Sequence, residues 1–281
     1  MTKAFVNKIV FSSVVDGPGN RAAIFLQGCN YTCKYCHNPE TISICINCGK
    51  CLESCPTGAL YKQGKRVVWQ EELCCQCDAC IRTCHFHASP KVTEYTAEEV
   101  MDRLEPVIPY IRGITVSGGE CSLQRDFLTE LFVLAKKRKL STLMDSNGSY
   151  NYMDDSELMA VCDGVMLDVK AFSDKEHREL TGRGSASVIQ NAVKLAMAGK
   201  LEEIRTVIVP EALPNEETVD AITRLLKPYL KIRPVRYKLI AYRPFGVRMP
   251  YQEIFRSPSQ NEMERCRKIA EENGFSDIIL I

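Results

Sequence analysis

Two cysteine runs with the same spacing constrain this 281-residue chain more than any other feature. The first run, CINCGKCLESC, spans residues 45–55, and the second, CCQCDACIRTC, spans residues 74–84. Each run contains the pattern C-x2-C-x2-C-x3-C, which leaves Cys75 in the second run as an additional thiol. Steps of two residues let backbone N–H groups fold around sulfide ions and neutralise their charge, so the spacing predicts iron–sulfur ligation.

The same spacing is found in bacterial two-cluster ferredoxins, in which the fourth cysteine of each run binds the other cluster. By that rule the first predicted [4Fe-4S] cluster has the ligands Cys45, Cys48, Cys51 and Cys84. The second predicted cluster has the ligands Cys74, Cys77, Cys80 and Cys55. The alternative is zinc, although four-cysteine zinc sites usually pair two C-x2-C motifs across a longer loop. Pro56 follows the first run, whereas His85 follows the second, and His85 and His87 are interpreted as surface residues.

The remaining composition points to a folded protein in a reducing compartment. Hydrophobic residues make up 45% of the chain, and 36 basic residues balance 35 acidic ones, which argues against a broad nucleic-acid-binding surface. The chain has no run of about 18 apolar residues, so no membrane span is predicted. The segment MTKAFVNKIVFSSVVDGPG lacks the long apolar core of a signal peptide, so we expect a cytoplasmic location in which thiols stay reduced.

Apolar runs alternate with helix-like periodicities in the rest of the chain, which predicts βαβ units and a parallel sheet. The predicted strands lie at residues 22–27, 114–117, 141–145, 164–169, 204–209 and 235–241. The predicted helices lie at residues 97–105, 124–139, 154–162, 187–198, 215–230 and 259–273. Six strands fit either a partial (β/α)6 barrel or a doubly wound α/β sheet, and periodicity does not choose between them. We expect residues 1–44 and 91–281 to form this domain and residues 45–90 to form a ferredoxin-like insert, with a two-stranded connection at 60–73.

A third cysteine group, QGCNYTCKYCHNPE at residues 27–40, contains Cys29, Cys33 and Cys36. Three thiolates can bind three irons of a cubane and leave the fourth iron open to a substrate or cofactor, as catalytic metal sites keep a free position. The group follows the predicted strand at 22–27, and α/β barrels place their chemistry in loops past the carboxyl ends of strands. The spacing therefore predicts a reactive cluster rather than a closed structural one.

These residues resemble the radical S-adenosylmethionine (SAM) enzymes, whose signature is C-x3-C-x-aromatic-C, with Tyr35 as the aromatic residue. Further motifs narrow the resemblance: VDGPGNR at 15–21, CHNPE at 36–40, SGGE at 117–120, DSNG at 145–148 and DVK at 168–170. Their order, together with the insert, is similar to that of the glycyl-radical-enzyme activating enzymes, with the YjjW-type subgroup as the best match. The resemblance covers nearly the whole chain and implies a radical SAM partial barrel, SAM and three [4Fe-4S] clusters.

The resemblance also implies a set of cofactor-binding residues. They are Tyr35, Cys36, His37, Gly118, Gly119, Glu120, Asp145, Ser146, Asp168, Val169, Lys170, Arg205 and Arg243. The Gly118–Glu120 motif is expected to contact the SAM amino group, since glycines allow close backbone approach and a carboxylate suits an amine. Lys170 is expected to pair with the SAM carboxylate. A monovalent cation beside that carboxylate would be bound by Asp145, Ser146, Met166 and Asp168, the alternative being ordinary solvation at strand ends.

Several assignments leave alternatives open or are weaker. Arg205, inside a strand pattern, needs an anionic partner, which is either the cofactor carboxylate or a structural aspartate. Arg243 stands where some relatives have histidine. Tyr35 would meet the adenine through its backbone, and His37 would pack beside the cluster. Residues 16–19 are predicted to form a tight turn that flanks the site, and Cys121 is interpreted as a packed small side chain rather than a spare thiol.

The function that the resemblance implies is activation of a glycyl radical enzyme, with no catalytic side chain beyond the SAM cluster. Flavodoxin or ferredoxin would reduce the cluster, SAM would be cleaved, and a hydrogen atom would leave the Cα of a glycine in the partner. The insert would relay electrons or dock the partner. Two alternatives are a radical SAM enzyme that modifies another peptide or a small molecule, and an iron–sulfur electron carrier without chemistry of its own.

Overall fold

Strands and helices alternate along the chain in the computed structural model, which describes residues 2–249 and 251–281. The strands are β1 (Lys3–Ser13), β2 (Arg21–Leu26), β3 (Leu60–Gln63), β4 (Arg66–Trp69), β5 (Thr93–Thr96), β6 (Gly113–Gly118), β7 (Ser141–Ser146), β8 (Gly164–Asp168), β9 (Leu201–Ile208), β10 (Arg236–Ala241) and β11 (Ile278–Leu280). The α-helices are α1 (Ala79–Arg82), α2 (Ala97–Leu104), α3 (Arg125–Lys137), α4 (Ser156–Val161), α5 (Asp174–Thr181), α6 (Ala186–Met197), α7 (Asn215–Leu226), α8 (Tyr251–Ile254) and α9 (Gln260–Glu272). The predicted strands correspond to β2 and β6–β10, and the predicted helices to α2–α4, α6, α7 and α9, so these predictions are confirmed.

The main sheet has the strand order β11-β10-β9-β8-β7-β6-β2-β1-β5. Neighbouring strands from β2 to β11 run parallel, whereas β1 is antiparallel to both β2 and β5. The order from β2 to β11 advances in one direction, without the reversal that defines a doubly wound sheet. Four strands separate β10 from β2, yet Lys238 on β10 donates through Nζ to the Val15 carbonyl, just before β2, at 3.0 Å. This contact shows that the sheet curls. The partial barrel is therefore confirmed.

The two faces of the sheet differ in chemistry because side chains alternate along a strand. Ile24, Val116 and Ile204 belong to the apolar core that the strands share with the helices. The opposite face, which lines the barrel interior, carries charged groups such as Asp145 and Arg205. This polar interior places ionisable groups beneath the carboxyl ends of the strands, where a site is expected in such a barrel.

Residues 60–69 form the predicted two-stranded connection, with Leu60 paired to Trp69 across the β3–β4 hairpin. A small apolar cluster of Cys51, Leu60 and Cys80 packs beneath this hairpin, separate from the main core. Backbone and charged contacts join this segment to the barrel, including Ser89 N to the Glu40 carbonyl at 2.9 Å. No helix in the described ranges 2–249 and 251–281 is long and apolar enough to cross a membrane.

Candidate active site

The three-cysteine loop follows β2 and is held by backbone hydrogen bonds on two sides. Cys29 N donates to the Ile42 carbonyl at 2.9 Å, and Thr32 N donates to the Thr181 carbonyl, at the end of α5, at 3.0 Å. Arg248 donates through Nη2 to the carbonyls of Thr32 and Cys33, each at 3.1 Å. These hydrogen bonds therefore hold the loop above the strand ends.

The thiols of this loop occupy surroundings that suit a cationic cluster. Burial raises the pKa of Cys29, Cys33 and Cys36 to about 11 in each case, because a thiolate loses hydration there. Iron would supply the compensating positive charge. The buried hydroxyls of Tyr31 and Tyr35 have no hydrogen-bond partner, which leaves two polar groups free for a bound molecule. The donor set therefore fits an iron–sulfur cluster with a second ligand beside it.

Within the described residues, no group of three or more His, Cys, Asp or Glu side chains converges on a position for one metal ion. A cubane has a different requirement, because each of its cysteine ligands binds a separate iron. The absence of such a group among the described residues therefore bears only on sites for a single metal ion.

Gly118 and Gly119 are required by close contact between neighbouring backbones. A Cβ on Gly118, whose φ is +119°, would lie 2.2 Å from the backbone N and O of Leu26. A Cβ on Gly119 would lie 2.1 Å from the Gly28 carbonyl oxygen. Gly119 N donates to the Leu26 carbonyl at 2.9 Å, so pairing continues past the ends of β6 and β2. The two glycines thus fix the approach of this segment to the cysteine loop.

The Glu120 side chain is fully buried and accepts several hydrogen bonds from the chain. Its Oε1 accepts from the hydroxyls of Ser122 at 2.6 Å and Ser146 at 2.7 Å, and Oε2 accepts from Asn147 N at 2.8 Å. Oε2 accepts only this one bond from the described residues and keeps acceptor capacity, so the expected contact between this carboxylate and a bound amine stays a prediction. Cys121 is also fully buried, which confirms its interpretation as a packed side chain.

Two ion pairs meet at the carboxyl ends of β7, β8 and β9. Lys170 Nζ lies 2.7 Å from Asp168 Oδ2, and Arg205 Nη1 lies 2.7 Å from Asp145 Oδ2. Burial alone would lower the pKa of Lys170, but the charges of Asp168 and Cys33 hold it well above its ordinary value. Burial raises the pKa of Asp145 to about 6 in spite of Arg205. The structural aspartate anticipated as one alternative partner of Arg205 is thus Asp145.

The residues expected around a monovalent cation are only partly brought together. Met166 Sδ lies 3.2 Å from Arg205 Nη2, so it is adjacent to the Asp145 ion pair. The Ser146 hydroxyl instead donates to Glu120 and accepts from Tyr152 at 2.6 Å. The carboxylates of this group already have cationic partners from the chain, and the Ser146 side chain is turned away from them.

His37 and Arg243 form one contact, but through the Arg243 backbone. His37 Nε2 is hydrogen-bonded to the Arg243 carbonyl at 2.9 Å, and its ring stacks on Tyr242 with centroids 6.2 Å apart. The Arg243 side chain is exposed, and a cofactor contact by its guanidinium stays a prediction. Val169 is buried, and its N donates to the Arg205 carbonyl at 2.8 Å, which extends the pairing of β8 with β9.

The turn at residues 16–19 lies below the ion pairs, against interior side chains. Gly17 and Gly19 have φ values of +117° and +79°, as a tight turn requires. The Asp16 carbonyl accepts from Thr115 Oγ1 at 2.6 Å. A Cβ on Gly17 would meet side-chain atoms of Met166 at 3.3 Å. The predicted turn is therefore present and borders the barrel interior.

The eight cysteines of the two C-x2-C-x2-C-x3-C patterns line two cavities, and they are grouped as the ferredoxin spacing predicts. One cavity is lined by Cys45, Cys48, Cys51 and Cys84. The other is lined by Cys55, Cys74, Cys77 and Cys80. Cys75 also lines the second cavity. His85 and His87 are exposed, which confirms their interpretation as surface residues.

Sequence reasoning missed Arg248 and gave Asn147 no separate role. Asn147 Nδ2 donates to Asn30 Oδ1 at 2.9 Å and lies 3.9 Å from Cys29 Sγ. Its position inside DSNG was a usable signal for Asn147. Arg248 has no such signal, because it lies more than 200 residues along the chain from the carbonyls that it contacts.

The partial barrel and the three-cysteine loop above a strand-end lysine define a radical SAM enzyme. Residues 15–190 match the family described as 4Fe-4S single cluster domain. A radical SAM methyltransferase from Sphaerobacter thermophilus has the same fold, with a TM-score of 0.54 at 12% identity over 93% of this chain and 66% of that one.

Two similar proteins carry more specific names. The pyruvate formate-lyase-activating enzyme of Streptococcus mutans is 28% identical over 280 residues, covering 94% of this chain and 89% of its own length. The isethionate sulfite-lyase activating enzyme of Oleidesulfovibrio alaskensis is 30% identical over 256 residues, covering 83% of this chain and 82% of its own length. The chain belongs to the glycyl-radical-enzyme activating enzymes.

Proposed function

We propose that this protein activates a partner glycyl radical enzyme by removing a hydrogen atom from the Cα of one glycine. The observation that carries the proposal is the cysteine loop, fixed at the carboxyl ends of the strands beside the Asp168–Lys170 pair. Bound there, the cluster would supply one electron for the reductive cleavage of SAM that starts hydrogen-atom removal. The chain itself binds, orients and shields these groups.

Each residue near the loop has a role that follows from its contacts. Lys170, whose side chain is 12% exposed, would pair with the SAM carboxylate, and Asp168 would hold its ammonium group in place. The Gly118–Gly119 backbone allows the SAM amino group to approach, while Glu120 positions Ser146 and Asn147 from behind. Arg205 would keep Asp145 ionised and oriented toward the site.

The insert at residues 45–90 is proposed to be a ferredoxin-like unit with two further [4Fe-4S] clusters, giving three in total. Support comes from the two cavities, each lined by the four cysteines that the spacing assigns to it. Flavodoxin or ferredoxin is the proposed electron donor. All fifteen cysteines are unpaired, which suits the reducing cytoplasm.

The test is anaerobic reconstitution, reduction with dithionite, addition of SAM and a candidate partner, and electron paramagnetic resonance (EPR). A glycyl doublet on the partner together with 5′-deoxyadenosine is the expected result. Lys170→Met should lower both signals, whereas Lys268→Glu, an exposed change on α9, should leave them unaltered.

Deoxyadenosine without the doublet from any candidate partner would favour modification of another peptide or small molecule. Neither product, from protein with its full iron content, would refute the proposal and favour an electron carrier.

A further inference from the structure

One buried carboxylate, that of Glu203, joins two cations on the interior face of the barrel. Its Oε1 accepts from Arg205 Nε at 2.6 Å and lies 3.0 Å from Lys238 Nζ. The Glu203 side chain is 0% exposed, and those of Arg205 and Lys238 are 10% and 7% exposed. Its other oxygen, Oε2, has no hydrogen-bond partner and lies 4.0 Å from Arg236. A carboxylate in this position is retained only if its ion pairs compensate for lost hydration.

Arg205 and Lys238 contact different parts of the barrel. Arg205 pairs with Asp145 at 2.7 Å, at the proposed SAM site. Lys238 donates to the Val15 carbonyl at 3.0 Å, at the start of the turn that borders the barrel interior. The charges alternate from Asp145 to Arg205, Glu203 and Lys238, so every buried charge has a neighbour of opposite sign. Glu203 is the only member of this chain of contacts that touches both cations.

We propose that Glu203 is a positioning residue that fixes the geometry of two features: the Arg205–Asp145 pair, and the turn at residues 16–19, which Val15 precedes. The SAM end of this inference rests on the proposed function, whereas the turn end does not. Arg205 and Lys238 have long side chains with considerable rotamer freedom. A shared acceptor in a low-dielectric interior restricts both of them at once. Without it, Lys238 would no longer be held against the Val15 carbonyl.

The main test variant is Glu203→Gln, which keeps the shape and removes the charge. Two properties are measured on the reconstituted full-length protein: the SAM dissociation constant by equilibrium dialysis, and amide hydrogen exchange at residues 14–20. We expect the dissociation constant to rise about tenfold, as when an outer positioning group is lost. Exchange in the turn should become about fivefold faster, because the segment loses the restraint that Lys238 places on the Val15 carbonyl and opens more often.

Two further variants separate the arms of the network. Glu202→Gln is the matched control, because Glu202 is the adjacent carboxylate on β9 but pairs with the partly exposed Arg233; both measurements should stay unchanged. Lys238→Met should accelerate exchange in the turn and leave the SAM dissociation constant within about twofold, because Glu203 still holds Arg205.

The inference is overturned if Glu203→Gln, folded by circular dichroism, leaves both measurements as in the parent protein. It is also overturned if SAM affinity falls while exchange in the turn is unchanged, because the connection through Lys238 would then be absent. If Glu203→Gln does not fold, unchanged exchange in Lys238→Met overturns it. Failure of the parent protein to bind SAM would count against the proposed function, and exchange in the turn would still decide the role of Glu203.

Discussion

Replacing Glu120 with glutamine should destabilise the fold as well as impair SAM binding. All the groups that contact this carboxylate are hydrogen-bond donors: the Ser122 backbone N at 3.1 Å, the hydroxyls of Ser122 and Ser146, and Asn147 N at 2.8 Å. Glutamine offers one acceptor and one donor, so its amide N–H2 must face a donor at one of the two oxygen positions. Because the site is fully buried, water cannot relieve the conflict.

The expected cost follows from the bonds that change. A hydrogen bond to a charged group contributes about 1.5–3 kcal/mol, and a buried donor left without a partner costs about 1–3 kcal/mol. If the glutamine oxygen keeps the Ser122 and Ser146 contacts, the bond from Asn147 N is lost and two donors face each other. The free energy of unfolding should therefore fall by about 3 kcal/mol. Displacement of Asn147 would also disturb its contact with Asn30 in the cysteine loop.

Anaerobic urea unfolding followed by far-ultraviolet circular dichroism measures this cost, with SAM affinity measured in parallel. The control is Glu157→Gln, since Glu157 is 71% exposed and pairs with Arg125 at 2.7 Å; it should change stability by less than about 1 kcal/mol. A Glu120→Gln protein as stable as the parent, but with weaker SAM binding, would refute the positioning role and restore a direct contact with the SAM amino group.

Three further predictions concern the backbone, the clusters and pH. Gly119→Ala places a Cβ 2.1 Å from a backbone oxygen, so it should displace the cysteine loop and lower the iron content by about four atoms per chain. Cys48→Ala combined with Cys77→Ala should lower iron from about twelve to about four atoms, while dithionite-driven SAM cleavage persists. Arg125 lowers the pKa of Asp155; that ion pair stabilises the fold fully above about pH 4 and progressively less as pH falls through the folded pKa. Asp155→Asn should therefore flatten the loss of unfolding free energy below that pH.

A matched variant or a contradicting outcome checks each prediction. Gly58, unlike Gly119, has a positive φ, +67°, but a Cβ there meets nothing within 4 Å, so Gly58→Ala should retain its iron. Loss of dithionite-driven cleavage from the double cysteine variant, with about four irons still bound, would contradict independent clusters. Equal acid sensitivity of Asp155→Asn and the parent in urea unfolding would contradict the assigned ion pair.

Strands and helices at the centre of the fold were predictable because they carry strong periodic signals. The six parallel strands are largely buried on both faces and rich in Val, Ile and Leu, although interior charged residues interrupt the apolar runs in β9 and β10. Strand β1 and the two edge strands, β5 and β11, were missed because they are only partly buried and show mixed patterns. Helix α5 was missed because its sequence, DKEHRELT, is largely polar and buries only His177, Leu180 and Thr181.

The sequence by itself determined the order of the motifs and the resemblance to the family, and it predicted the cysteine ligand sets, because these depend on local spacing. It also placed Lys170 at a strand end, and the family resemblance named Asp145 and Asp168 as residues near the same cofactor.

Only the tertiary structure decided how those groups are paired. It showed that Glu120 accepts hydrogen bonds from Ser122, Ser146 and Asn147, and that Arg205 pairs with both Asp145 and Glu203. It also decided that the carbonyl of Val15 is held by Lys238. The physical reason is that a buried charge takes whichever compatible partner the curled sheet brings within hydrogen-bond distance, and residues 223 positions apart carry no pattern of that contact in their local sequence.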